Sequence, residues 1–227
     1  MHSRLIASVV VLLLGAPLVA QRNDAAYVVT YFDVKPASTR EGEGLIGRYV
    51  RDTAAQPGLT SVQGFQELGR TNRFVVVEVW RDAEAFGVHE KAAQTTTFRD
   101  ALKAIHRSPS DQRVNHAFEI DAALTSPPRN AIYVVTHVDV PGARREEAER
   151  LLQALVGPSR RDAGHLLYDV YQQNDPRTNH FTVFAAWSSR DAFEAAANAP
   201  HAVTFREALG PMLGALYDER LYQRLAQ

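Results

Sequence analysis

The stretch YVVTYFDV, from Tyr27 to Val34, returns almost unchanged as YVVTHVDV, from Tyr133 to Val140. Both stretches are rich in β-branched and aromatic residues, and alternate side chains fall on opposite faces, which is typical of a β-strand. One exchange, Tyr31 for His137, replaces one polar aromatic side chain with another. A chain that contains one strand twice is predicted to hold two copies of one structural unit.

The repeat continues beyond this strand. TFRDAL at residues 97–102 matches TFREAL at residues 204–209, and Trp80 matches Trp187, at an offset one residue longer than that of the opening strands. We therefore predict a first domain at residues 25–122 and a second at residues 131–225, joined by a linker at residues 123–130. The linker contains Pro127 and Pro128, which lack a backbone N–H and stiffen the connection.

Each copy has the pattern of strand, helix, two strands, broken helix and closing strand. In the second copy we expect the first helix to stop at Gly157–Pro158, a turn at Asp175–Pro176 and a helix break at Pro200. The closing strands are predicted near Phe118–Asp121 and Leu216–Leu225. This order, β-α-β-β-α-β, is that of the ferredoxin-like unit.

A ferredoxin-like sheet carries helices on one face only, so its other face must be covered. Two tandem copies with antiparallel sheets packed face to face cover each other, and the predicted fold is α+β with a pseudo-twofold axis between the copies. The chain would then be a monomer with an internal pseudo-dimer, and further association of chains is left open.

Composition excludes several classes of function. The formal net charge is -1, which does not indicate a nucleic-acid partner, and the absence of cysteine excludes disulfides, thiolate metal sites and a cysteine nucleophile. The motif GEGLIG at residues 42–47 is flanked and interrupted by glutamates and is interpreted as helix, not as a nucleotide site. HEKAAQ at residues 89–94 lacks the second histidine of a zinc-binding helix, so no metal is expected.

The first twenty residues read as a targeting segment. Arg4 precedes an apolar run from Leu5 to Leu14, and small residues follow up to Ala20, which is the pattern of a secretory signal peptide over residues 1–20. The apolar run is short for a membrane span, so cleavage and export to the periplasm or exterior are predicted, with no membrane association afterwards. An uncleaved membrane anchor is the alternative.

The later part of each copy resembles the antibiotic biosynthesis monooxygenase (ABM) family. The pattern is an Asp-Pro turn, a phenylalanine strand ending in tryptophan, and a broken helix with histidine and phenylalanine. The second copy matches at Asp175, Pro176, Phe181, Trp187, His201 and Phe205, and the first at Phe74, Glu78, Trp80, His89 and Phe98. The copies divide the family's polar set, because Gln94 replaces the second histidine in the first copy, and Ala185 and Ala196 replace the glutamate and first histidine in the second.

The resemblance implies the dimeric αβ-barrel fold and a cofactor-free oxygenase that acts with O2 on a quinol-like or polycyclic phenolic molecule. In such chemistry a base deprotonates an electron-rich substrate inside an apolar pocket. The first copy, with its glutamate and helix histidine, is expected to be the active one. The candidate catalytic residues are His89, Trp80, Glu78 and Tyr31, and the candidate binding residues are Trp187, His201, His137, Phe98 and Phe205.

Structural interpretations of these residues stay open at this stage. The tryptophans could be core anchors, and His89 could be an exposed polar position on its helix. His201 could cap the helix break, and Tyr31 and His137 could lie in the interface between the sheets. Two other functions also stay open: a non-catalytic small-ligand-binding or stress-related protein, and, with less support, a haem-binding or haem-degrading protein.

Overall fold

The computed structural model describes residues 24–121 and 127–226. The predicted signal peptide and the first half of the linker lie outside the described residues. The first copy contains β1 (Ala26–Val34), α1 (Thr39–Thr53), β2 (Leu59–Glu67), β3 (Arg73–Trp80), α2 (Ala83–Glu90), α3 (Ala93–Ile105) and β4 (His106–Glu119). The second contains β5 (Ile132–Asp139), α4 (Arg145–Ser159), β6 (His165–Gln173), β7 (His180–Trp187), α5 (Arg190–Ala197), α6 (Pro200–Leu209) and β8 (Asp218–Arg224).

The two four-stranded sheets close into one antiparallel barrel with the strand order β1-β3-β2-β8-β5-β7-β6-β4. The prediction of two tandem β-α-β-β-α-β units that cover each other is therefore confirmed. The structure adds that the sheet edges are hydrogen-bonded across the copies, β2 to β8 and β4 to β6. Among the eight described strands, closure leaves no unpaired sheet edge, which removes a template for aggregation.

The strand β4 is longer than predicted. It begins at His106 rather than near Phe118, because its first half pairs with β1 of its own copy and its second half pairs with β6 of the other. Asn115 takes part in both pairings, opposite Tyr27 and opposite Gln173. A strand that spans both sheets needs this length, and short-range patterning did not predict it.

The predicted end of α4 at Gly157–Pro158 is wrong, since the helix continues to Ser159. A proline in the last turn removes only one backbone hydrogen bond. The helix also buries Leu152 and Val156 against the second sheet, which stabilises its last turns.

In the first copy the glycines of GEGLIG lie inside α1, as predicted. A Cβ on Gly42 would lie 3.1 Å from a Val34 methyl, so glycine lets this helix approach β1 closely.

Each sheet presents one face to the barrel interior and one to its helices. The interior is an aromatic-rich core in which Tyr27 stacks on Tyr171 and Phe65 packs on Tyr133. On the outer faces, β1 and β3 pack against α1 and α3, and β5 and β7 pack against α4 and α6. Alternate side chains along a strand point to opposite faces of the sheet. Each side chain on a strand therefore points either into the barrel interior or toward the helices.

Candidate functional site

A cluster of buried polar and aromatic side chains lies between the first sheet and its helices. Glu78 and Trp80 are two positions apart on β3 and share its outer face, Tyr49 belongs to the buried stripe of α1, and His89 lies near the end of α2. Glu78 and His89 are each 1% exposed and Trp80 is fully buried. The structure thus brings together three of the four predicted catalytic residues.

Tyr49 is the centre of this cluster. Its hydroxyl lies 2.9 Å from Glu78 Oε1 and 2.8 Å from His89 Nε2. The other ring nitrogen of His89, Nδ1, lies 2.8 Å from Gln56 Oε1 and 3.4 Å from Thr95 Oγ1. These contacts form a continuous chain from Glu78 through Tyr49 and His89 to Gln56, which we call the proton network.

Aromatic rings enclose the proton network. Trp80 lies against His89 with ring centroids 4.6 Å apart, and Phe98 stacks on Tyr49 at 4.1 Å. Phe86 packs on Trp80 from the side of α2. Such packing keeps water from the buried carboxyl and imidazole groups and holds their orientations.

Burial changes the pKa of both titratable groups in the network. It raises the pKa of Glu78 to about 7, against the lowering effect of the Tyr49 hydrogen bond. It lowers the pKa of His89 to about 4, so the imidazole is neutral near neutral pH. The pKa of Tyr49 is raised by burial and by Glu78, so its hydroxyl keeps its hydrogen. His89 Nε2 and Glu78 Oε1 lie 3.7 Å apart. Because the imidazole is neutral, the two residues do not form an ion pair at neutral pH.

Two clefts reach the network from outside. One, of about 320 Å³, is bounded by the sheet and α3 and is lined by Thr30, Tyr49, Thr95, Phe98 and Arg99, among others. The second, of about 340 Å³, lies on the side of α1 and shares Tyr49 and Phe98. We call the first the Thr95 cleft. Its Thr95 side chain faces both the cleft and His89, so it links the cavity to the network.

The second copy has replaced the network with apolar residues. Glu78, His89 and Tyr49 correspond to Ala185, Ala196 and Leu155. The corresponding space is a cavity of only about 50 Å³, walled by Trp187 and Phe205 among others. This volume admits a few water molecules but no aromatic ring without rearrangement.

The helix histidine of the second copy, His201, lies at a different position from His89, but its partner corresponds in sequence to Gln56. His201 lies at the start of α6, and its Nε2 is 3.0 Å from Asp162 Oδ2. Asp162 follows α4 at the place where Gln56 follows α1 in the first copy. The side chains of His201 and Asp162 are 21% and 20% exposed, so this pair lies nearer the surface than His89.

The fourth predicted catalytic residue, Tyr31, is not in the cluster. It faces the barrel interior, where its ring meets that of the equivalent residue, His137, at 5.0 Å between centroids. Contact between equivalent residues places them beside the pseudo-twofold axis, in agreement with the interpretation as an interface between sheets. Arg113 donates to His137 Nδ1 at 2.9 Å, and burial with two nearby arginines lowers the pKa of His137 to about 3.

The structure also decides the other interpretations left open. His89 is not an exposed helix residue, and that interpretation is wrong. Trp80 and Trp187 are both core anchors. Sequence reasoning missed Tyr49, Gln56 and Thr95. The sequence did contain a clue to Tyr49. Its counterpart in the second copy is Leu155, and packing of the apolar helix stripe does not require a hydroxyl group at this position.

Within the described parts of the chain, no group of three or more histidine or carboxylate side chains is arranged to hold a metal ion. No helix there has the length and hydropathy needed to cross a membrane.

Comparison with known proteins now identifies the class. The family model for "Antibiotic biosynthesis monooxygenase" matches residues 25–108 and again residues 131–208, so the chain belongs to the ABM family as a tandem duplication. No curated protein matches the chain.

Solved structures with the same fold extend over most of the chain. A Fusobacterium nucleatum protein named "Putative monooxygenase" is 17% identical with a TM-score of 0.77, covering 89% of this chain and 93% of its own. An "anthrone oxidase-like protein" is 17% identical with a TM-score of 0.70, covering 92% and 95%. A "major regulator of staphylococcal pathogenesis" is 9% identical with a TM-score of 0.59, covering 87% and 98%. At these identities the similarities show the fold alone.

Proposed function

We propose that the protein is a cofactor-independent monooxygenase whose first copy oxidises an electron-rich phenolic or quinol-like aromatic molecule with O2. The observation that carries this proposal is the proton network, buried beside a cleft in one copy only. Buried titratable groups with shifted pKa values beside a cleft are a feature of catalytic sites. Membership of the ABM family supports the same reaction class, but does not identify the substrate.

The substrate would lie in the Thr95 cleft. Phe98 offers an aromatic wall, while Thr95 and Arg99 offer polar contacts to a hydroxyl or carbonyl group. A planar aromatic ligand bound there would reach the network through the Thr95 hydroxyl, which lies 3.4 Å from His89 Nδ1. This arrangement makes Thr95 the contact residue and His89 the group that accepts the proton.

Ionised Glu78 prepares His89 for this role. When Tyr49 donates its hydrogen to the Glu78 carboxylate, it can accept a hydrogen bond only from His89 Nε2–H. The neutral imidazole then has a bare Nδ1, which can take the substrate proton through Thr95. The imidazolium formed is stabilised by the Glu78 carboxylate through Tyr49. A proton on Glu78 would remove this stabilisation.

The deprotonated substrate supplies the electrons. It reduces O2, and the two combine at carbon to give a peroxide, which then loses water. For an anthrone the sum is one anthrone and one O2 giving one anthraquinone and one water, so one oxygen atom enters the product. The apolar part of the cleft wall, formed by Phe32, Phe98 and Leu102, would shield the anion and peroxide from side reactions with solvent.

Oxygen uptake tests the proposal. The wild-type protein would be assayed with hydroquinones and anthrones in the presence of a chelator, beside a Glu78→Gln variant. Asp169→Asn is the matched control, because Asp169 is also a buried carboxyl with a pKa raised by burial, but it lies outside the proposed site. We expect uptake above autoxidation, a loss of about 10²–10⁴-fold in Glu78→Gln, and wild-type rates in Asp169→Asn.

The pH profile separates catalysis from damage to the fold. The wild-type rate is expected to rise as Glu78 ionises, with a midpoint near its pKa of about 7, and this limb should be absent from the Glu78→Gln profile. Two results would contradict the role of the network. One is an equal loss of oxygen uptake in Glu78→Gln and Asp169→Asn, and the other is a Glu78→Gln rate that still rises with pH as the wild-type rate does.

A non-catalytic ligand-binding protein is the second candidate. The observation in its favour is that Glu78 and His89 are almost completely buried, so no ligand reaches them directly. Calorimetric binding of an anthrone or hydroquinone without any oxygen uptake would favour this function over an oxygenase.

We also propose that the protein is exported, on the pattern of residues 1–20 alone. Mass spectrometry of the chain recovered from outside the cytoplasm should find its N-terminus near Gln21. Recovery of only the uncleaved chain in membranes would contradict export as a cleaved protein.

A further inference from the structure

The side-chain amide of Gln56 ends the proton network and is incompletely satisfied. Gln56 Oε1 lies 2.8 Å from His89 Nδ1, while the buried Gln56 Nε2 has no hydrogen-bond partner among the described residues. A buried unsatisfied amide N–H costs free energy. Rotating the amide by half a turn would bring Nε2, a donor, to His89 Nδ1 instead.

The number of hydrogens in the network decides which orientation fits. Three contacts join four groups, and each contact needs one hydrogen. If Gln56 presents its oxygen, His89 must carry its hydrogen on Nδ1 and leave Nε2 bare. Tyr49 must then donate to Nε2, so the contact between Tyr49 and Glu78 needs a hydrogen from Glu78.

The opposite orientation requires the opposite protonation state. If Gln56 presents its amide N–H groups, His89 Nδ1 is bare and the hydrogen lies on Nε2. Tyr49 then accepts from His89 and donates to Glu78, which must be the charged carboxylate. Because His89 is neutral near neutral pH, each orientation of Gln56 then satisfies all three contacts with only one protonation state of Glu78.

We propose that Gln56 is a positioning residue that switches the tautomer of His89 in step with the protonation of Glu78. The amide turns as the proton arrives or leaves, although Gln56 and Glu78 do not touch each other. With its oxygen toward His89, Gln56 keeps Nδ1 protonated and unable to accept a proton. With its nitrogen toward His89, it leaves Nδ1 without a hydrogen, and the Nδ1 lone pair accepts a hydrogen bond from the amide until a proton arrives through Thr95.

Few other charges act on this switch. Glu90 and Arg99 are the charged groups that act on both Glu78 and His89. They contact each other, so their effects on the network largely cancel. The Trp80 ring and the Tyr49 hydroxyl complete the surroundings.

The second copy indicates how the switch can be locked. Asp162 occupies the place of Gln56 and contacts a histidine through a carboxylate oxygen. A carboxylate can only accept a hydrogen, so it has no second orientation to offer. Gln56→Glu should therefore fix the hydrogen of His89 on Nδ1 over the whole pH range in which the new carboxylate is charged.

Heteronuclear NMR of the imidazole nitrogens tests the proposal without any assay of turnover. The signals of His89 would be assigned by their loss in His89→Gln, and followed from about pH 5 to pH 9. This range brackets the ordinary pKa of histidine, about 6.5, and the raised pKa of Glu78, about 7. We expect the wild-type hydrogen to move from Nδ1 to Nε2 as Glu78 ionises. We expect this change to be lost in Gln56→Glu, with the hydrogen on Nδ1 throughout.

Two further variants keep the test decisive. Glu78→Gln cannot ionise and should lose the tautomer change, while Gln56→Met, which removes the contact but fills similar space, should shift its midpoint. A wild-type tautomer that does not change with pH, or a full change in a folded Gln56→Glu variant, would overturn the proposal. Loss of oxygen uptake alone would leave it unaffected, so it can fail or stand independently of the proposed oxygenase.

Discussion

The two copies have the same strand order and the same helices, yet their helix-covered pockets differ. The first copy fills its pocket with a carboxyl, a phenol and an imidazole that satisfy one another. The second copy has Ala185, Leu155 and Ala196 at these places and keeps a small cavity, whose lining is mostly apolar but includes Tyr168, Tyr217 and Glu219. The difference teaches that the fold does not require the polar groups, since the second copy folds without them. Their presence in the first copy therefore needs another reason.

Stability arguments point the same way. A buried polar network rarely stabilises a protein more than apolar residues of the same volume. The second copy is the apolar alternative within the same chain, with its Trp187 anchor in the place of Trp80. The proposed function supplies a reason for the network in the first copy, and the following predictions test this contrast.

The largest effect is expected from placing one network residue alone in the second copy. Ala185→Glu buries a carboxylate without the counterparts of Tyr49 and His89 that surround Glu78 in the first copy, and should lower the free energy of unfolding by about 3–5 kcal/mol near neutral pH. The penalty should shrink as pH falls, because the folded state prefers the neutral acid. Chemical denaturation at neutral and at acidic pH measures both.

The matched control adds the missing partners. Ala185→Glu combined with Leu155→Tyr and Ala196→His should recover part of the lost stability. A loss below about 1 kcal/mol in the single variant would mean that the second copy accepts a carboxylate as readily as the first, and the contrast would fail.

The pH dependence of stability should reveal two opposing contributions from the first copy. Glu78, with its pKa raised from 4.5 to about 7, binds a proton more tightly when folded, so its contribution to stability falls as pH rises through this range. His89, with its pKa lowered from 6.5 to about 4, binds a proton less tightly when folded, so its contribution rises with pH from 4 to 6.5. Where the ranges overlap, the two slopes oppose each other.

Substitution should expose each slope in turn. In Glu78→Gln the stability should rise with pH from 4 to 6.5, and in His89→Gln it should fall with pH from 4.5 to 7, each by about 3 kcal/mol in total. The urea-unfolding free energy measured across this range checks both. Identical pH profiles for the two variants would show that the pair does not titrate as the structure indicates.

A smaller effect distinguishes the two histidines. His89→Gln leaves Tyr49 and Glu78 buried with an altered partner and should cost about 1–3 kcal/mol. His201→Gln acts on a pair that is part exposed to solvent, and should cost less than about 1 kcal/mol. Thermal unfolding of the two variants at one pH compares them directly, and equal losses would contradict the difference in burial.

Much of the fold could be predicted from the sequence, since the repeat, the strand alternation and the helix breaks are all local patterns. The long β4 could not, because its unpredicted first part is held by pairing with β1, far away in the chain. The end of α4 was misjudged at Pro158, because packing of the last turn outweighed a local stop signal.

The candidate site was predicted in part. The resemblance to the family grouped Glu78, Trp80 and His89, and the structure places these side chains together; their catalytic role stays a prediction. Tyr31 was grouped with them but lies in the barrel interior, because both faces of β1 are apolar and the sequence does not say which face meets the helices. Gln56 follows α1 in a connection that matches no sequence motif. Its contact with His89 is visible only in the structure.

The most direct test compares two buried tyrosines that each bond a carboxyl group. Tyr49→Phe removes the centre of the proton network, while Tyr171→Phe removes a hydroxyl that donates to Asp169 at 3.0 Å inside the barrel. Both variants keep an aromatic ring; Tyr49→Phe loses the contacts to Glu78 and His89, and Tyr171→Phe loses the contact to Asp169. Oxygen uptake with an anthrone, in the presence of a chelator, would be measured for both beside the wild type. We predict a loss of about 10²-fold or more in Tyr49→Phe alone; equal rates in the two variants would contradict the assignment of the chemistry to the first copy.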